Sequence, residues 1–224
     1  MKWFALFASI CLLCADEPDP ALLKEQAAEG LKSIPGWCTR EKSDSFIDLI
    51  LQTKPHIWVE IGVFGGSSLF PAASALHALG EGIAIAIDPW DKIECLRHLD
   101  PERNREDWNW WSRVNLREIE GSLRRMLEDR GLQNTVAVLK MTSRDAAYKI
   151  RKIDVLYIDG NLSEEGVLED IRLYLPKIAA GGYIWLNDAL WTSRQQAQDL
   201  LLQSCQFIRS IDGGNCLLFQ KRKP

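Results

Sequence analysis

Glu60-Ile61-Gly62-Val63-Phe64-Gly65-Gly66-Ser67-Ser68 is the stretch on which the fold turns. Just upstream, His56 to Ile61 is rich in Ile, Trp and Val and reads as a short strand. Just downstream, Ser67 to Leu79 reads as a helix that stops before Gly80. A glycine-rich turn between a buried strand and a helix opens a β-α-β unit.

Working outward, the same alternation continues. Ile83 to Ile87, Val136 to Leu139, Ile153 to Ile158 and Tyr183 to Leu186 are further strands without inside/outside alternation. Ser163 is expected to cap a helix whose Val167, Leu168, Ile171 and Leu175 share one face, with Glu164 and Glu165 in its favourable first turn. Buried strands separated by helices imply a doubly wound, mostly parallel sheet with helices on both faces. Phe207 to Ile211 and Cys216 to Gln220 close it as an antiparallel hairpin around Asp212-Gly213-Gly214-Asn215. Ahead of the first strand, helices are expected over residues 20–32 and 43–52, the second with Phe46, Ile47, Ile50 and Leu51 on one face.

The chain has 224 residues and a net charge of -4, a balance that argues against nucleic acid as the main partner. Lys2 precedes an apolar run from Trp3 to Leu13, and Ala15 leads into Asp16-Glu17-Pro18-Asp19-Pro20. That order fits a secretory leader at residues 1–15, too short to span a bilayer. Residues 16–42 then form a helical extension and 43–224 the main domain. With the leader used the protein is exported, with no stable membrane anchor after cleavage; otherwise it is cytoplasmic. Six cysteines show no zinc spacing. The hairpin register places Ile211 opposite Cys216 and leaves Cys205 at the far end, so both are expected as free, partly buried thiols.

In an open parallel sheet, ligands bind beyond the carboxyl ends of the strands. Glycines in the turn Gly62-Val63-Phe64-Gly65-Gly66-Ser67 let the backbone pass close to a ligand, and the following helix offers N–H groups to an anion. Gly65 and Gly66 also fit a reading in which they only make a tight turn. Asp88 closes the second strand, where an acid accepts hydrogen bonds from ribose hydroxyls. Loop and acid together point to an adenosine-containing ligand. A dinucleotide site needs G-x-G-x-x-G to admit pyrophosphate, and Val63-Phe64 interrupts that pattern. The loop suits S-adenosyl-L-methionine better, which has no pyrophosphate to place.

With Ala86-Ile87-Asp88-Pro89-Trp90, Val155-Leu156-Tyr157-Ile158-Asp159-Gly160-Asn161 and Gly181-Gly182-Tyr183-Ile184-Trp185-Leu186-Asn187-Asp188, the loop resembles a known family. It is similar to the Rossmann-like class I methyltransferases related to the macrocin and catechol O-methyltransferases, over residues 45 to 221. The resemblance implies that Glu60, Gly62 and Ser67 border the amino-acid moiety of adenosylmethionine. It also implies that Asp88 meets the ribose, and that Ser143-Arg144-Asp145 lies near the adenine.

The chain departs from that pattern after its fourth strand. Relatives read I-D-G-x-H-x-Y-E there, whereas Leu162 replaces the histidine and Glu164 the tyrosine. In catechol-type relatives two acids and an asparagine hold magnesium. Asp159 and Asp188 match the acids, but Ala189 falls at the asparagine, and Asn187 serves only if the loop shifts. Hard cations need several oxygen ligands, so no metal is expected. Asp159 and Asp188 remain the candidate catalytic residues, either able to deprotonate a hydroxyl if a closed site raises its pKa. The blander reading has Asp159 capping a turn and Asp188 in a solvated loop.

Asp91 through Arg113 form a long insertion of the kind that acts as a lid. Trp108 and Trp111, three apart, are expected to be buried and Trp110 exposed; all three can also stack on an acceptor. His98 is a candidate base, or an uninvolved loop histidine. The expected activity is methyl transfer to a small-molecule acceptor, on oxygen rather than nitrogen, with self-association left open. The competing expectation, motivated by Leu162, Ala189 and the leader, is a degenerate fold that binds the cofactor or a partner without catalysis.

Overall fold

The computed structural model describes residues 17–223. The leader expectation for residues 1–15, with Cys11 and Cys14, lies outside them. Seven strands form one sheet: β1 Ile57–Ile61, β2 Ile83–Ile87, β3 Val136–Leu139, β4 Ile153–Ile158, β5 Ile178–Leu186, β6 Cys205–Ile211 and β7 Cys216–Lys221. Their order is β3-β2-β1-β4-β5-β7-β6. The first five pair in parallel, while β7 runs antiparallel to both β5 and β6. The chain switches direction of winding between β1 and β4, so a crevice opens beyond their carboxyl ends.

Side chains alternate across the sheet and bury two cores. On one face Trp58, Tyr157 and Trp185 meet helices α1 (Pro20–Leu31), α2 (Arg40–Thr53) and α3 (Leu69–Leu79). Phe46 of α2 sits 5.1 to 5.5 Å from all three rings, contacts that add about 0.5–1.5 kcal/mol each beyond area burial. Helix α4 (Lys92–Leu96) and α5 (Arg105–Arg113) form the insertion after β2, and α6 (Leu116–Asp129) returns to this face through Leu123 and Leu127. On the other face α7 (Ser143–Ala147), α8 (Glu164–Tyr174) and α9 (Gln195–Ser204) cover Val59, Leu156 and Ile184. Among the described residues no helix is long and apolar enough to cross a membrane.

Helix α2 begins three residues earlier than its apolar stripe suggests, because the Thr39 hydroxyl accepts from the N–H of Lys42 and caps it. The boundary expected at residue 42 therefore falls inside a helix. Strand β5 starts at Ile178 rather than Tyr183, and Gly181, at φ 79°, carries it past a register shift against β4. Ser163 caps α8 as expected, accepting from the N–H of Gly166 at 3.0 Å. In the hairpin Ile211 pairs with Cys216, while Cys205 faces Lys221 at the opposite end. Both thiols are free, and both are fully rather than partly buried. Trp110 is exposed as expected, whereas Trp108 and Trp111 are only half-buried.

Candidate active site

The carboxyl ends of the strands are laced together by backbone hydrogen bonds. Gly62 donates to the Ile87 carbonyl, Asp159 to Ile61 and Asn187 to Ile158, at 2.9 to 3.0 Å. Beyond β1 the chain turns through Val63 and Gly66, and Phe64 takes a left-handed backbone at φ 50°. Asp88 holds that turn. Its Oδ2 accepts from the N–H groups of Val63 and Phe64 at 3.0 and 2.9 Å, and its Oδ1 from Trp90 at 2.7 Å. Trp90 in turn donates its indole N–H to the Phe64 carbonyl. Burial raises the Asp88 pKa, and the Phe64, Trp90 and Val63 N–H groups act against it.

Protein fills the space in front of the loop glycines. A Cβ on Gly62 would meet the Asp159 carbonyl at 2.1 Å, and one on Gly65 the Pro35 carbonyl at 2.3 Å. Gly66 faces Leu123 of α6. Residues 33–39 thus form a strap across the loop, fixed where the N–H of Cys38 donates to Ser67 Oγ at 3.2 Å. Above it Trp37, Phe64, Trp110 and Trp111 form a cluster with ring centroids 4.7 to 6.0 Å apart.

Glu60 lies under this cover, fully buried on the face that meets α3. Ser68 donates to its Oε1 at 2.6 Å, but Oε2 has no partner. Burial pushes its carboxyl up to about 8, with Asp159 and Asp88 adding to the shift. No side chain caps α3; the Phe70 N–H donates to the Gly66 carbonyl at 2.9 Å and Pro71 has none, which leaves Leu69 to offer an N–H from the first turn.

Asp159 and Asp188 stand at the ends of β4 and β5. Asp159 accepts from the Tyr157 hydroxyl at 2.9 Å and from Asn187 Nδ2 at 2.7 Å. Burial, then the Asp188 charge, push it up to about 7, while Lys42, Asn187 and Tyr157 oppose the rise. Asp188 adopts φ 55° and accepts from Asn215 Nδ2 at 3.3 Å. Both acids are half-buried, so Asp188 is not a solvated loop residue. Ala189 is buried, and its N–H donates to the Asn215 carbonyl. The amides of this site therefore come from Asn187 and Asn215, not from position 189. Among the described residues no group of three or more His, Cys, Asp or Glu side chains is placed to hold a metal ion.

Several of these partners escape local sequence reading. Lys42, 3% exposed, places Nζ 3.2 Å from Asp212 of the hairpin turn. Burial works against its ammonium, but Asp159 and Asp212 outweigh that and hold its pKa above the ordinary lysine value. Its one sequence signal is helical spacing with Phe46 and Ile50, which puts a lysine on the apolar face. Buried Arg194 donates to the carbonyls of Asn161 and Leu162 at 3.2 and 3.3 Å. Ser143 and Asp145 begin α7 beyond β3, where Asp145 Oδ2 accepts from Thr142. The Asp88 N–H donates to Leu139, which brings that segment beside the acid.

The methyltransferase-domain family matches residues 59–189, more than half of the chain. The chain belongs to that family. It is a class I methyltransferase enzyme built on the seven-stranded, mostly parallel sheet described above. Among solved structures it is similar to the O-methyltransferase NovP, with 15% identity, TM-score 0.74, and 92% of this chain and 100% of that one covered. It is also similar to TomG from Streptomyces achromogenes, described in complex with SAM and as involved in tomaymycin synthesis: 14% identity, TM-score 0.62, 95% and 93% covered. An O-methyltransferase from Bacillus cereus in complex with SAH aligns at 14% identity and TM-score 0.60, covering 92% of each chain. No curated protein matches the chain at a significant level. The family match contains Glu60, the glycine loop, Asp88, Asp159 and Asp188. In this methyltransferase the strap, Lys42 and the hairpin turn lie outside the match and close the site from both ends of the chain.

Proposed function

We propose that the enzyme transfers a methyl group from S-adenosyl-L-methionine to a hydroxyl of a small-molecule acceptor. The observation that carries this reading is Glu60, a buried carboxylate with one unpartnered oxygen. An ammonium group completes Glu60, and a carboxylate attached beside it meets the Leu69 N–H at the start of α3. The pair describes an amino-acid moiety, and nothing at the loop provides for pyrophosphate. Gly62, Gly65, Gly66 and Ser67 shape this corner. Asp88 keeps lone-pair capacity on Oδ1 for a ribose hydroxyl, with Ser143 and Asp145 on the adenine side. The similar structures point the same way, since TomG is described in complex with SAM and the Bacillus cereus enzyme in complex with SAH.

Adenosylmethionine supplies a methyl group on a positively charged sulfur, ready for displacement. The protein's part is alignment, which can account for about 7–11 kcal/mol of the barrier. Asp159 and Asp188 accept hydrogen bonds from the acceptor hydroxyl at the strand ends and so turn its oxygen lone pair toward the methyl group as the bond is made. Asp159 does this only when ionised. Its carboxyl titrates at about 7, so turnover rises as pH passes through that value.

A second reading, cofactor binding without turnover, is favoured by Leu162, an apolar side chain where the family resemblance implies a histidine. The test is methyl transfer from adenosylmethionine to a panel of phenols, catechols and sugar hydroxyls. Turnover that increases from pH 6 to 8 and falls at least a hundredfold in Asp159→Asn supports the enzyme. Cofactor binding with no product from any acceptor supports the second reading.

A further inference from the structure

A cavity of about 520 Å³ opens between the insertion and the segments that leave Asp159 and Asp188, lined among others by His98, Leu162, Glu164, Trp191 and Ser193. Its size is that of a small-molecule site. Leu162 thus shares its cavity with a histidine that comes from another element altogether. His98 is also the outlier of its segment, at φ 63° in the left-handed region. A non-glycine residue there is strained, and such strain persists where surrounding contacts impose it.

Those contacts are explicit. Asn161, two residues after Asp159, donates through Nδ2 to the carbonyls of Glu94 and Arg97 at 3.2 and 3.1 Å. Its Oδ1 accepts from Ser163, and its own carbonyl accepts from buried Arg194. The residue directly before His98 is therefore tied to the loop that follows Asp159, and that loop to the interior. The other two histidines stand elsewhere. His56 precedes β1 at the amino edge of the sheet, and His77 ends α3 with Nδ1 3.2 Å from Thr135.

We propose that this cavity holds the methyl acceptor and that His98 takes the proton from its hydroxyl, replacing the histidine absent at position 162. The assignment rests on the methyl-transfer reading above. In the step, the acceptor oxygen forms the new bond to the methyl carbon, and the carbon–sulfur bond breaks with its electrons left on sulfur. The hydroxyl proton passes to the imidazole nitrogen of His98 and from there to water. Asp159 and Asp188 do not line the cavity; they stand at the strand ends, three residues before Leu162 and Trp191, where the hydroxyl of an acceptor seated in the cavity reaches them, and their oxygens are already held by Tyr157, Asn187 and Asn215. Imidazole is the side chain best suited to accept and return a proton near neutral pH.

Three histidines give three imidazole signals in a carbon–proton NMR spectrum, and His98→Asn identifies one by its loss. Asparagine tolerates the left-handed backbone, so the variant keeps the fold. The protein, saturated with the demethylated cofactor SAH, is titrated with catechol, 4-nitrophenol and methyl glucoside. The assignment expects a shift of the His98 signal with at least one of them, the other two histidines unmoved. It also expects His98→Asn to cut turnover by about 10²–10⁴ with SAH affinity unchanged, and Leu162→His added to it to restore part of the loss. SAH binding with a stationary His98 signal, or full activity in His98→Asn, overturns the assignment alone. Failure to bind SAH overturns the methyl-transfer reading, and this assignment with it.

Discussion

Asp88 accepts from three backbone N–H groups of the loop and its own turn, so replacing it by alanine acts twice. The variant Asp88→Ala is expected to weaken SAH binding by about 1–3 kcal/mol and to lower stability by a similar amount, because Val63, Phe64 and Trp90 lose their acceptor. Calorimetry and urea unfolding separate the two effects. Lost stability with intact affinity would make Asp88 a clamp for the loop and not a ribose ligand. The acid itself was legible, since a carboxylate at the end of a buried strand is a local pattern. Its loop bonds were not, because they depend on the left-handed turn at Phe64, which no residue type there announces.

At the scale of elements, the helices and strands with strong periodicity were readable and the pieces that close the site were not. The strap packs Pro35 against Gly65 and Trp37 against Phe64, contacts between segments roughly thirty residues apart that have no signature in either. Helix α2 was visible from Phe46, Ile47 and Ile50, yet its charged member Lys42 joins the site only through the hairpin turn. Lys42→Met removes one partner of a buried pair and leaves Asp212 and Asp159 without their cation. It is expected to cost on the order of 3 kcal/mol, read as a lower urea midpoint. An unchanged midpoint would show that the α2–hairpin contact does not hold the site together. The amide arrangement follows the same logic: Asn215 reaches Asp188 from the hairpin, so searching for an asparagine beside Asp188 in sequence finds only Ala189.

Across the whole molecule, the buried strands, the mostly parallel sheet and the terminal hairpin were legible from pattern alone, whereas the order β3-β2-β1-β4-β5-β7-β6, with β7 between β5 and β6, was not, because it rests on pairings between distant segments. The topology then collects what the chain scatters. The N–H of Asp212 donates to Glu41 across 171 residues, and the strap, the loop after β4 and the hairpin turn converge on one edge of the sheet. We propose that this edge cradles the amino-acid end of adenosylmethionine, with Glu60 as the partner of its ammonium. Glu60 titrates at about 8, well above an ordinary glutamate, so at pH 7 the free protein holds it mostly protonated. An arriving ammonium favours the carboxylate, and the proton must leave. Calorimetry of SAH binding at pH 7, in two buffers of different ionisation enthalpy, measures that release. Binding is expected with close to one proton released, a release that vanishes in Glu60→Gln. No binding of SAH, or the same proton release from Glu60→Gln, would contradict it.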